Sequence, residues 1–195
     1  MPLPAGSPTA PEKAVQGLEG AAAARLRGPA PVHLWNPPFC GDIDMRIAGD
    51  GVWHYGGSPI GRLPLVQLFA SILRKDEDRY YLVTPVERVG IKVDDAPFLA
   101  VEMRAEHGRI DFRTNVEDEV AVGAEHPLRF EPGASGGLKP YVLVRANLWA
   151  LVKRALFYDL AALGEEGAWQ GERWFGVASQ GVFFPMRPMR EIEAL

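Results

Sequence analysis

Two arginines carry the first chemical signal in this 195-residue chain. Arg62 precedes Leu63-Pro64 and Arg145 precedes Ala146-Asn147, and the apolar spacing after each predicts a helix. Free N–H groups at a helix start, with a guanidinium beside them, favour an anion. The glycine-rich stretch 56–61 would let a phosphate or carboxylate approach the backbone before Arg62. A structural account stands beside this one: either arginine could pair with Asp44, Glu87 or another carboxylate at a domain seam. No Gly-Lys-Ser or Gly-Lys-Thr occurs, and no G-x-G-x-x-G opens a helix after a strand, which argues against a mononucleotide hydrolase of the usual kind.

The second signal is Cys40-Gly41-Asp42-Ile43-Asp44. A reactive thiolate needs a base or cation nearby. The helpers would be His33, His54, His107, His126 or Arg46. Lone cysteines are also common core residues. Asp42 and Asp44 beside one thiol match no metal-ligand spacing, and turn capping or salt bridging accounts for them as well. No histidine pair has metal spacing and no Gly-x-Ser-x-Gly elbow exists. Asp94-Asp95 reads as a turn cap. Trp149, Trp169 and Trp174 could stack on a ligand ring or fill a core.

These residues need elements to hold them. Ile43, Met45 and Ile47 alternate with Asp44, Arg46 and Ala48, then Gly49-Asp50-Gly51 marks a turn back into 52–55, a hairpin. Pro64 suits the first position of a helix whose stripe is Leu65, Leu68, Phe69 and Ile72. Arg74 to Asp78 would end that helix in solvent. Strands are expected at 80–84 and 86–93, then at 98–105, 109–114, 120–122, 128–130 and 141–144. Segment 133–139 reads as a glycine-rich loop. The longest helix is expected at 147–163, stopped by Gly164, followed by a closing hairpin through 173–179 and 181–186. Segments 62–69 and 145–152 can be laid over one another, each followed by a strand ending near a hydroxyl, Thr84 or Ser179. This suggests a duplicated strand–helix–strand unit.

Composition bounds the class. Apolar residues make up 47% and charged residues 24%, enough for a packed core. Twenty-one Lys and Arg against 25 Asp and Glu give a net charge of −4, which argues against duplex nucleic acid as the partner. A single cysteine excludes an intramolecular disulfide and suits a reducing compartment. No apolar run is long enough to span a bilayer. Residues 1–28 read as a flexible tail with a short helical piece at 17–26, without the pattern of a secretory signal. The expected organisation is a tail at 1–28, an α+β domain at 29–95 and a second domain at 96–195, in the cytoplasm.

The run Cys40-Gly41-Asp42-Ile43-Asp44-Met45-Arg46-Ile47, with Asp50-Gly51-Val52-Trp53, Pro59-Ile60, Leu68-Phe69, Leu82-Val83-Thr84-Pro85-Val86-Glu87 and Asp94-Asp95-Ala96-Pro97-Phe98, resembles the bacterial domain of unknown function 1285 family. Thr114-Asn115, His126-Pro127-Leu128-Arg129, Tyr141-Val142-Leu143-Val144-Arg145 and Phe183-Phe184-Pro185 extend the resemblance over about residues 30–187. It implies two duplicated domains, the second a pleckstrin-homology-like bent antiparallel sheet closed by a helix. It also implies a ligand, suspected to be nucleotide-based, between the halves, in a signalling role.

The resulting expectation is a non-catalytic protein that binds a small anionic ligand, without cofactor or metal. Arg62 and Arg145 would hold its negative groups. Thr84, Asn115 and Ser179 would offer hydrogen bonds, and Asp44, Arg46 and Glu87 would orient the arginines. Two other readings stay open: a small hydrolase using Asp42, Asp44 or Cys40, and a protein-interaction module without a small ligand.

Overall fold

The computed structural model describes residues 29–133 and 136–194; the expected tail and its helical piece, and positions 134 and 135 of the glycine-rich loop, lie outside the described residues. The chain divides into two compact units. One holds Val52–Asp94 and the described residues up to Ala48; the other holds Asp95 onward together with Gly49–Gly51.

The first unit starts with a 3-10 turn at Val32–Leu34. It continues through β1 (Phe39–Ile47), β2 (Trp53–Tyr55), β3 (Ser58–Pro59), helix α1 (Leu63–Ser71), β4 (Leu73–Asp76), β5 (Arg79–Val83) and β6 (Arg88–Val93). The strands form one sheet in the order β3-β2-β1-β6-β5-β4. It consists of two antiparallel meanders, β1–β3 and β4–β6, joined where β1 runs parallel to β6. Pro64 lies in the first turn of α1, and Val66, Phe69 and Ala70 turn inward. Phe69 stacks on Trp53 with ring centroids 6.2 Å apart, and Trp53 is 1% exposed. Each such fully buried side chain removes apolar area worth roughly 1.5–3 kcal/mol.

The second unit repeats the sheet without the helix in the middle. Its strands are β7 (Phe98–Glu106), β8 (Arg109–Thr114), β9 (Glu119–Ala121), β10 (Leu128–Pro132), β11 (Leu138–Arg145) and β12 (Leu148–Val152), in the order β10-β11-β12-β7-β8-β9. Again the first strand, β7, runs parallel to the last, β12. Helix α2 (Arg154–Ala162) follows, then a three-stranded sheet of β13 (Glu165–Trp169), β14 (Glu172–Ser179) and β15 (Val182–Pro188), and the short α3 (Met189–Ile192). The protein is thus mostly β, with two similar six-stranded sheets and small helices.

Four expectations are corrected. The helix expected at 147–163 is a strand plus a shorter helix. Leu148, Ala150 and Val152 are buried while Trp149 and Leu151 are half-buried, a period of two. An all-round apolar run does not by itself distinguish a buried strand from a helix. Here β11 on one side and β7 on the other supply its backbone partners. Arg145 therefore ends a strand, with Ala146 at φ 45° in the following turn, and enters no helix. Residues 73–76 are a strand rather than the solvated end of α1. The repeated element is consequently the six-stranded sheet, and α1 has no counterpart at the same place in the second unit.

Close approach makes one glycine in the closing sheet indispensable. A Cβ on Gly176 would lie 2.3 Å from the backbone oxygen of Phe184 and 2.7 Å from the Phe183 ring. The backbone cannot yield as a flexible side chain would. Gly176→Ala is expected to cost about 1–3 kcal/mol in chemical denaturation; an unchanged midpoint would show that the β14–β15 pairing is looser than these distances imply.

Candidate functional site

Strand pairing reveals a repeat that connects the two sheets residue by residue. In the first unit Leu73, Arg74 and Asp76 on β4 face Leu82, Tyr81 and Arg79 on β5. In the second, Leu128, Arg129 and Glu131 on β10 face Val142, Tyr141 and Lys139 on β11. Both copies read Leu-Arg-x-acid on the fourth strand and cation-x-Tyr-aliphatic on the fifth. Opposed residues and residues two apart share a face, so each sheet displays an arginine, a carboxylate, a second cation and a tyrosine together.

In the first unit this face extends onto β6 and β1. Val83 pairs with Arg88, Tyr81 with Gly90, Gly90 with Asp42, and Phe39 with Arg88. Arg79 lies over the rings of Phe39 and Tyr81 at 5.6 and 5.4 Å, and Arg88 over the same rings at 5.9 and 4.9 Å. The two rings meet edge to face at 6.0 Å. Gly90 makes room for the carboxylate of Asp42, since a Cβ there would sit 1.9 Å from Oδ1. That oxygen accepts a 2.7 Å hydrogen bond from Arg79. Arg74 donates through Nη1 to the carbonyls of Val32 and Trp35 at 3.0 and 2.7 Å, and through Nε and Nη2 to Asp76 at 3.1 and 2.8 Å. Arg88 reaches the same Asp76 oxygen only at 3.3 Å, and its Nε is buried without a partner. Three guanidinium groups thus share two carboxylates, those of Asp42 and Asp76.

The second unit's face carries Trp149 where the first has Arg88, and Leu151 where the first has Gly90. Arg129 lies over the Trp149 ring at 4.2 Å and over Tyr141 at 5.1 Å. Lys139 pairs with Asp95, and the Tyr141 hydroxyl donates to the other oxygen of Asp95 at 2.7 Å. The Asp95 hydrogen bond holds the Lys139 ammonium above its ordinary range, and burial followed by that same carboxylate pushes the Tyr141 hydroxyl up.

The residues singled out by sequence reasoning fall elsewhere. Arg62 is the exposed residue preceding α1; its carbonyl accepts from Leu65 and Val66, and its side chain makes no capping bond. Arg145 pairs with Asp118 and lies over Phe98 at 4.8 Å. Arg46 makes a two-pronged pair with Asp94 rather than orienting another arginine. Asp44 is exposed on β1, and Glu87 is half-buried in the β5–β6 turn. Buried Thr84 accepts from the Val86 and Glu87 N–H groups and ties that turn. Asn115 accepts from Leu99 N–H at 3.0 Å and donates to the Gly51 carbonyl at 3.0 Å. Buried Ser179 accepts from Ile110 N–H and donates to the Val122 carbonyl, joining β14 to the larger sheet. The hydroxyls and the amide expected to meet a ligand are thus engaged by backbone. Cys40 is exposed, with its Sγ 3.6 Å from the Pro38 carbonyl. Among the described residues no group of His, Cys, Asp and Glu could hold a metal ion, and no helix is long and apolar enough to cross a membrane.

The sequence does contain the signal for the face it missed. Leu73-Arg74-Lys75-Asp76 and Leu128-Arg129-Phe130-Glu131 match in type, but only strand register shows that they occupy equivalent places. Topology and face together define a tandem-duplicated β protein with a cation–tyrosine surface in each copy. Family comparison agrees with the duplication: the model of the N-terminal domain of DUF1285, a domain of unknown function, matches residues 30–96, and that of its C-terminal domain matches 97–186. The chain belongs to the DUF1285 family. It is similar to the crystal structure of a DUF1285 family protein from Silicibacter pomeroyi DSS-3, at 52% identity and a TM-score of 0.80 over 90% of this chain and 97% of that one. It is also similar to one from Shewanella baltica OS155, at 26% identity and a TM-score of 0.50 over 62% of this chain and 91% of that one. Comparison with curated proteins gives no match.

Raised folded-state values at Lys139 and Tyr141 have a definite sign. Both groups bind their protons more tightly in the folded chain, so their contribution is full below the ordinary values of 10.0 for tyrosine and 10.5 for lysine and is lost as pH rises past them. Thermal unfolding temperature should fall above about pH 10, and fall less steeply in Tyr141→Phe. Equal slopes for the two proteins would remove Tyr141 from the cause.

Proposed function

We propose that this protein binds a small anionic, nucleotide-like ligand on the first unit's guanidinium–aromatic face, and that it senses the ligand rather than transforming it. The observation that supports this most directly is Arg88. Among the described residues its ion pair is a 3.3 Å contact to an oxygen that Arg74 already holds at 2.8 Å, while its Nε–H has no acceptor. A ligand phosphate would supply the anion that Asp76 supplies only in part. Phe39, 45% exposed, offers a ring face on which a base could stack beside Arg79 and Arg88.

In this reading the second half acts as a pleckstrin-homology-like module, a curled sheet followed by a helix, and passes the binding event to a partner in a cytoplasmic signalling role. Arg62 and Arg145 are no longer the holding groups. Asp42, one of the hydrolase reading's three candidates with Asp44 and Cys40, is the counter-ion of Arg79.

Calorimetric titration with a panel of nucleoside mono-, di- and triphosphates tests the proposal. At least one should bind, and Arg88→Gln should weaken it roughly ten- to a hundredfold, the equivalent of a charge-assisted hydrogen bond of about 1.5–3 kcal/mol. Phe39→Ala should weaken nucleotides more than inorganic phosphate. Binding unaltered by Arg88→Gln, or no binding across the panel, would overturn the assignment.

A further inference from the structure

The two copies of the fourth-strand arginine have different surroundings. Arg74 is saturated: it bonds two carbonyls of the segment around the 3-10 turn and one carboxylate, and only 16% of its side chain is exposed. Arg129 occupies the same register with 45% of its side chain exposed. Among the described residues its polar contact is a single 3.2 Å approach of Nε to Glu131. Its guanidinium lies on the Trp149 ring at 4.2 Å and over Tyr141 at 5.1 Å. An aromatic platform holds a guanidinium in place without using its N–H groups. The Nη edge is left as a pre-positioned fork that matches the two oxygens of a carboxylate or phosphate.

We infer that Arg129, seated on Trp149 and Tyr141, forms a second oxyanion-binding site, on the second unit and independent of the one proposed on the first. The charged groups around it permit an anion. Glu131 approaches Arg129 from the Nε side and Lys139 is paired with Asp95, so the four groups balance in charge, and what the site offers an anion is the uncommitted Nη edge of Arg129. The recognised group is the shared chemistry of a small phosphate or carboxylate. Its stacking platform is an indole already covered by the guanidinium, so no aromatic moiety is required of the ligand.

The test uses the full chain with ¹⁵N-labelled arginine and tryptophan side chains, titrated at constant ionic strength with inorganic phosphate, with acetate, and with chloride as reference. Phosphate or acetate should produce saturable shifts at the Arg129 Nε–H and the Trp149 indole N–H, and the anion that saturates identifies the source. Arg129→Gln should abolish the saturable shift at Trp149. Arg129→Lys, which keeps the charge but lacks the fork, should weaken binding at least tenfold with the circular dichroism spectrum unchanged. Arg88→Gln should leave both signals as they are. If nucleotides fail to bind the first unit while Arg129 saturates, only the first assignment falls. Shifts that grow linearly as they do with chloride, or that persist in Arg129→Gln, overturn this one.

Discussion

Each unit depends on one parallel pairing. Three-stranded antiparallel meanders are easily made by local hairpins, but two of them form a single sheet only if their inner strands meet. Here the first strand of each unit lies beside the last, β1 with β6 and β7 with β12. Such a pair cannot be closed by a tight turn and needs the whole intervening chain as its connection. The seam strands are buried on both sheets: Ile47 on β1 and Val89 on β6 in one, Ala100 on β7 and Ala150 on β12 in the other. Because side chains alternate with a period of two, fixing the seam's register also fixes which residues of the fourth, fifth and sixth strands emerge on the same face. The cation–tyrosine surface is therefore a consequence of the seam and not of any local motif.

That dependence explains which parts of the fold were legible in the sequence. The β1–β2 hairpin, α1 and the β14–β15 hairpin announce themselves through alternation, Pro64 and turn residues, all short-range signals. The stretch after Asn147 does not, because Leu148 to Val152 is apolar at every position, and only the presence of β11 and β7 on its two sides makes it a strand. Residues 73–76 were obscured differently. Arg74, Lys75 and Asp76 are charged and follow a helix directly, so solvation is the short-range reading. In fact Arg74 and Asp76 point to one face and bond each other there, which neutralises the charge that made a strand look improbable.

The sequence reading and the face proposed here both rest on arginines, but on different ones. Arginines facing aromatic rings and carboxylates do dominate the chemistry, yet the sequence reading chose those at apparent helix starts. Arg145 is at a strand end, held by Asp118 and Phe98. Thr84, Asn115 and Ser179 are polar, buried or half-buried, and well placed in the chain to meet a ligand. They are engaged because turns and sheet joints expose backbone groups that need partners, and a short polar side chain is the nearest available one. A residue's type announces that it will hydrogen-bond; only the surrounding backbone decides with what.

Duplication gives these two faces a common origin in register and separate fates in chemistry. Position by position, Gly90 leaves room for a first-strand carboxylate to lie across the sheet, whereas in the second unit Leu151 stands there and its first-strand partner is Leu99. In the first unit Asp42 takes that room and meets Arg79. In the second the corresponding space is filled by a side chain, and the carboxylate that meets Lys139 comes from Asp95, ahead of the strand. Arg88 against Trp149 then decides what the remaining arginine rests on. A third guanidinium in the first unit competes for Asp76, which leaves that face with a surplus of positive charge spread over three side chains. The indole in the second carries no charge, so that face keeps two cations, Arg129 and Lys139, against Glu131 and Asp95. On the proposals above the first copy meets a larger or more highly charged anion and the second a single oxyanion group, a division that would follow from differences at three paired positions, Asp42 against Leu99, Gly90 against Leu151 and Arg88 against Trp149.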